Sequence, residues 1–310
     1  MDFAHLKEEN YAVDVLAESL LKGRLVLFLG AGISSGANLP GWRDLIISMR
    51  EKVGLPNDDL GESADALQDA ADEVEMKFKG DKKGFADLVQ KCLYKGVELD
   101  ENLVTDPGLV ALGALLTGSR RGSVNRVVTL NFDCLLEWYT SLCGLIPSVI
   151  LEPPAYEGTE DVRIYHPHGF LAHDDFDAAS SDFVILSLQS INKRLSDPND
   201  IWSTFLRHVL TSGVGLFVGL SERSFRDRAL APLLEYAAEK NEKRKDSNLP
   251  TGFWIVNLEK ENKSTQQIEL MEQKFLASRI VPLRQATAEA IPRLLLRICR
   301  RAAQQVDVLG

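Results

Sequence analysis

Apolar positions along the chain follow two rhythms. Unbroken apolar runs at Leu25–Leu29, 126–130, 213–218 and Gly252–Asn257 read as strands buried on both faces. Shorter candidates stand at 148–151, Val162–Tyr165 and 280–283. Between the runs, apolar residues recur at helical spacing over 11–21, 42–51, 201–210, 226–240 and 288–303. Strands that alternate with helices, and that lack a polar–apolar alternation of their own, imply an α/β fold. Its sheet is expected to be mostly parallel, with helices on both faces. From 62 to 118 only helical patterns occur, broken at 79–84 and 105–108. This stretch is read as a helical insertion (about 55–119) in a core made of about 1–50 and 120–310. The whole chain, 1–310, is expected to be a single domain.

Composition narrows the class. At 310 residues, 45% hydrophobic and 26% charged, the chain has ample apolar material for a large core. A net charge of −10 argues against a nucleic-acid surface over the whole chain. The arginines at 293, 297, 300 and 301 read as one solvated helix face, and the acidic stretch 174–177 as a solvated loop. Residues 1–9 lack the basic-then-apolar pattern of a secretory signal, and the run at Leu25–Leu29 is too short to cross a bilayer. Cys92, Cys134, Cys143 and Cys299 form no C-x-x-C pair. A reduced, cytoplasmic protein without a metal site is expected.

The end of the first strand carries the strongest chemical signal. Leu25–Leu29 runs directly into Gly30, Ala31, Gly32, Ile33, Ser34, Ser35 and Gly36. This reads as a tight turn leading into a helix, where backbone N–H groups and a helix dipole favour a phosphate. Ser35 stands where the G-x-G-x-x-G dinucleotide fingerprint needs its third glycine, and no acidic strand end follows within about 20 residues. A nicotinamide dehydrogenase is therefore disfavoured. The turn also lacks Gly-Lys-Ser/Thr, which excludes a P-loop.

In a parallel sheet, ligands bind beyond the carboxyl ends of the strands. The other strand ends deliver Thr129, Asn131 and Asp133, then His166, His168 and Gly169, then Gly219 and Ser221, then Asn257. Duller roles exist for each. Asn131 or Asp133 suits the cap of a helix at 135–141, Ser221 suits another cap, and His168 suits a turn. Cys134 reads as a buried thiol.

Taken in order, Gly30-Ala-Gly-Ile-Ser, Thr129-x-Asn-x-Asp, His168-Gly, Gly219-x-Ser and Asn257 resemble the motif series of the sirtuin fold. The resemblance covers about residues 25–260 and implies a Rossmann-like sheet that binds NAD+ and cleaves its nicotinamide–ribose bond. Departures are specific. Leu130 replaces the glutamine of the deacylase sirtuins, their four-cysteine zinc module is missing, and Pro40-Gly-Trp-Arg43 stands where they carry Pro-Asp-Phe-Arg. The segments 39–45 and 217–227 are more similar to the bacterial sirtuin-like NAD hydrolases that act as effectors in anti-phage defence.

The resemblance thus implies an NAD+ nucleosidase, with a deacylase, an ADP-ribosyltransferase and a non-catalytic nucleotide sensor as alternatives. Nicotinamide leaves NAD+ as a neutral group, so the site must stabilise a developing ribosyl cation, place a nucleophile and exclude stray water. Asn131 suits a water or the ribose hydroxyls, Asp133 adds charge or fixes Asn131, and His168 is the candidate base. Gly30, Ala31, Gly32, Ser34 and Ser35, with Arg43, are expected at the diphosphate; Gly219, Ser221 and Asn257 are expected at the adenosine half. Only about 50 residues follow the sirtuin-like region, few for a sensor domain. Control is therefore expected from homo-oligomerisation and a separate partner, with a HerA-type ATPase as the candidate.

Overall fold

The computed structural model describes residues 3–58, 60–61, 64–118, 122–154, 158–173, 182–186, 191, 194–195, 197–226, 230–243, 249–260 and 263–309. The acidic stretch 174–177 lies outside the described residues.

Seven strands form one all-parallel sheet. They are β1 (Leu25–Leu29), β2 (Arg126–Thr129), β3 (Pro147–Ile150), β4 (Val162–Tyr165), β5 (Val214–Val218), β6 (Gly252–Asn257) and β7 (Ile280–Gln285). Their order is β3-β4-β2-β1-β5-β6-β7. Every strand stands where one was expected; β1, β4 and β6 keep their expected bounds, and the ends of β2, β3, β5 and β7 shift by one or two residues. All five residues of β1 and of β5 are buried, as strands covered on both faces must be.

The two faces are built by alternate residues of the same strands. Leu25, Leu27 and Leu29 of β1 face one core with α1 (Glu9–Leu21) and the C-terminal helix Ala290–Leu309. Val26 and Phe28 face a second core with Ile201–Ser212, Ala231–Lys243 and Thr265–Ala277. Phe28 of β1 stacks on its register partner Phe217 of β5 at 4.8 Å.

A third core gathers α2 (Trp42–Lys52), which precedes the expected insertion, with α3 (Ala64–Lys77), α4 (Lys82–Leu93) and α5 (Glu101–Val104). These helices pack around Leu45, Ile46, Met49, Val74 and Phe85, and against Phe132 and Tyr139. The next helix, α6 (Pro107–Leu116), is opened by Asp106, whose carboxylate accepts from the Leu109 N–H at 2.9 Å. Its Leu109 joins the third core, while its Ala111, Leu112 and Leu115 pack into the first core beside α1. After it come α7 (Leu135–Leu142), α8 (Ile201–Ser212), α9 (Glu222–Arg226), α10 (Ala231–Lys243), α11 (Thr265–Ala277) and α12 (Ala290–Leu309).

Three expectations need correction. The helix foreseen at 226–240 is α10, starting at Ala231 and preceded by the short α9. No helix was foreseen for α11, yet Ser264 and Gln267 form a reciprocal capping box at its start. The glycine turn does not open an α-helix. It makes two 3-10 turns, Ala31–Ile33 and Ser35–Ala37, and α2 begins only at Trp42.

Ion pairs close the ends of the chain. Glu9 pairs with Arg297, and Asp14 with Arg301, joining α1 to α12. These two arginines bind a neighbouring helix instead of standing only in solvent. Glu272, fully buried on α11, takes Lys7 and Arg284.

Candidate functional site

After β1 the chain builds β2, β3 and β4 on one side, then returns to place β5 on the other. The β1/β5 junction is thus the topological switch point, where the diverging loops leave a crevice. Leu29 is in register with both Thr129 and Val218, so the ends of β1, β2 and β5 lie level. Beyond them opens a cavity of about 350 Å³.

The glycines at this junction serve each other's backbone. A Cβ on Gly32 would lie 2.8 Å from Gly219 Cα, and one on Gly30 would lie 2.7 Å from Gly219 O. A Cβ on Gly219, whose φ is +72°, would lie 2.7 Å from Ile33 N. The N–H groups are also committed. Gly30 donates to Val218 O, Gly32 to Gly219 O, Ile33 to Gly30 O and Ser34 to Ala31 O. Of these four donors in the turn expected to cradle phosphate, Gly30 and Gly32 tie it to the end of β5, and Ile33 and Ser34 close it on itself.

Ser34 is 2% exposed and belongs to a polar cluster with Asn131 and Asp133. Its Oγ donates to Asp133 Oδ2 at 2.9 Å and accepts from Asn131 Nδ2 at 3.1 Å. The Asn131 N–H donates to Thr129 Oγ1 at 3.2 Å. Asp133 Oδ1 accepts the Leu135 N–H (3.2 Å) at the start of α7, so one carboxylate bonds both Ser34 and the first turn of that helix. Burial pushes the Asp133 carboxyl above its ordinary range; the hydrogen bond from Ser34 opposes this, and the nearby Glu137 adds to it.

His168 enters from the loop after β4. Its Nδ1 lies 3.2 Å from Leu130 O, and a carbonyl only accepts, so Nδ1 carries a proton. In the neutral ring the lone pair then resides on Nε2, which suits a base. Gly169 is obligatory beside it: φ is +104°, and a Cβ would lie 2.6 Å from Phe183 O. Arg194 braces the same loop by donating to Pro167 O (2.8 Å) and Phe183 O (3.1 Å). Burial pushes the Cys134 thiol up to about 11, which keeps it a poor nucleophile.

Gly30, Ala31, Ser34, Arg43, Asn131, Asp133, His168 and Ser221 all line the one cavity. Arg43 is also held by the carbonyls of Gly61 (3.0 Å) and Leu60 (3.5 Å). Ser221 Oγ accepts the Ser224 N–H at 3.3 Å at the start of α9, as a cap would. Ser35 turns back to donate to Gly32 O, and Asn257 Oδ1 accepts the Glu259 N–H at 3.1 Å. Neither of these two, nor Gly32 or Gly219, is brought to the cavity wall.

Residues 125–278 match the family model described as a SIR2-like domain. Among solved structures it is similar to one described as the crystal structure of a Sir2 homolog–NAD complex. That likeness has 13% identity and a TM-score of 0.42, covering 96% of this chain and 94% of that chain. No curated protein matches the chain.

The SIR2-like match takes in Asn131, Asp133, His168 and Ser221, while Gly30, Ala31, Ser34 and Arg43 reach the same cavity from before it. Several residues around this cavity were not foreseen from the sequence. Trp42, Phe132, Arg223 and Ser224 line the cavity, and Arg194 braces the His168 loop. Trp42 had a visible signal, since it neighbours Arg43 at the head of an amphipathic helix. Arg194 had none, because its partners are carbonyls and any residue supplies one.

Proposed function

We propose that this SIR2-like chain hydrolyses the nicotinamide–ribose bond of NAD+ to nicotinamide and ADP-ribose. The observation that supports it is the convergence of Ser34, Asn131, Asp133 and His168 on one cavity beyond the strand ends. Water attacks the anomeric carbon while the C–N bond breaks, its electron pair going to the nicotinamide nitrogen. The water's proton passes to His168 Nε2. Asn131 orients the water or the ribose hydroxyls. Asp133 stabilises the developing cation, and Ser34 holds Asn131 and Asp133 together. Arg43, Ala31 and the turn around them take the diphosphate; Ser221 takes the adenosine half.

In this reading the protein is an NAD+-depleting effector of bacterial anti-phage defence. It is held in check by self-association and by a separate partner, for which a HerA-type ATPase is the candidate.

Purified protein is mixed with NAD+ and free nicotinamide is followed over time. Release without any acylated peptide is expected, and Asn131→Ala and His168→Ala are each expected to lower it at least about a hundredfold. Release only with an acylated peptide would instead indicate a deacylase. Binding without release would indicate a sensor, and full activity in either variant would sink the residue roles.

A further inference from the structure

His166 plays no part in the proposed reaction, yet it is the most enclosed titratable group beside the site, with no exposed surface at all. It directly follows Tyr165, the last residue of β4, two residues before His168. Its Nδ1 lies 3.1 Å from Asn131 O, and its Nε2 lies 2.7 Å from Glu137 Oε1. Glu137, on α7, is itself 7% exposed, and its Oε2 has no hydrogen-bond partner among the described residues. Phe170 closes the ring edge-on at 5.0 Å.

Chemistry constrains this arrangement. A carbonyl only accepts, so Nδ1 must donate to Asn131. A second proton must then lie between Nε2 and the carboxylate, whichever of the two atoms holds it. A lone carboxylate enclosed in the core is strongly disfavoured, so the pair stands or falls together. The third ionisable group at this spot is Asp133, on the same loop as Asn131 and close to both members of the pair.

We infer that Glu137 and His166 form a buried proton-sharing pair that holds the backbone of Asn131, and so aims its amide into the cavity; both are positioning residues. The inference rests on the hydrolase reading for its kinetic consequence only. Ser34 grips the Asn131 side chain from the front, and His166 grips its carbonyl from behind. An amide displaced by even an ångström lowers the chemical step without weakening ground-state binding.

The test compares three variants. Glu137→Ala is expected to lower kcat for nicotinamide release about tenfold to a hundredfold, with KM for NAD+ within about threefold. Glu137→Gln keeps a hydrogen bond to Nε2 and is expected to restore kcat to within about threefold of wild type. His166→Gln, which reaches only one of the two partners, is expected to resemble the alanine variant and serves if that variant does not fold. Unchanged kcat in Glu137→Ala, a glutamine variant as poor as alanine, or a rise in KM alone would each overturn the proposal.

NMR of the wild type supplies a readout independent of turnover. A slowly exchanging proton bridging the His166 ring is expected, and Glu137→Ala should abolish it and move the Asn131 side-chain NH2 signals. Absence of that proton would overturn the pair even in an active enzyme. Its presence in a protein that releases no nicotinamide would instead remove the hydrolase reading and leave the pair standing.

Discussion

At the scale of single residues, the site holds charge where the fold would rather not. Burial raises the Asp133 carboxyl above its ordinary range. A group shifted upward contributes most to stability below its unfolded value and loses that contribution as pH rises through the folded one. At neutral pH the ionised form is therefore a liability to the fold. Asp133→Asn is expected to raise Tm at pH 7.5, the gain vanishing toward about pH 4, while nicotinamide release falls at least about tenfold. A thermal-melt series across pH, set beside turnover, checks both halves; a lower Tm at pH 7.5 would contradict the burial account. Gly219 makes the opposite case, a residue chosen for what it lacks. Gly219→Ala would force a left-handed backbone and press Cβ against Ile33 N at 2.7 Å and Gly30 O at 2.8 Å. A loss of about 2–4 kcal/mol is expected in urea unfolding. The glycine spacing showed that side chains were unwelcome at the end of β1. It was silent on what fills the space, and the occupant is largely the neighbouring loop's backbone.

At the scale of elements, legibility followed burial. β1 and β5 announced themselves because a strand covered on both faces has no polar positions to blur it. α11 went unseen because its apolar residues are sparse, with Leu270 exposed and only Met271 and Phe275 buried among its large apolar side chains. Ser264 and Gln267 were the available signal, and a capping box is legible only to a reader who looks for the box before the stripe. The same helix carries Glu272, enclosed between Lys7 and Arg284. Burial alone would raise this carboxyl, but hydrogen bonds from Arg284 and Lys7 outweigh it and hold it below its ordinary range. A depressed group contributes stability above its unfolded value and loses it as pH falls through the folded one. Glu272→Gln is therefore expected to lose about 1–3 kcal/mol near pH 7, discounted because both partners are partly exposed, with the difference shrinking below about pH 4.5. Chemical denaturation at pH 7 and at pH 4 measures this; an equal loss at both would refute the charge account.

At the scale of the molecule, layers and strand positions were readable, while the split of α6 between two cores and the His166–Glu137 pair were not. Those depend on which distant surfaces meet, and a periodicity carries no partner's address. Among the described residues no helix is long and apolar enough to cross a membrane. The first core shows the same non-locality at full length. Leu16 and Leu20 near one end pack in one cluster with Leu294, Leu295 and Ile298 near the other, and Arg301 reaches Asp14 across 287 positions. A chain cut at 289 is expected to expose the apolar stripe of α1 and to aggregate or bind hydrophobic dyes; a soluble, cooperatively melting fragment would show otherwise. On the ribosome, α1 emerges before the sheet and meets α12 only after all seven strands have been made. The nascent chain must carry a sticky amphipathic helix until then, so chaperone demand should track elongation time more than final stability.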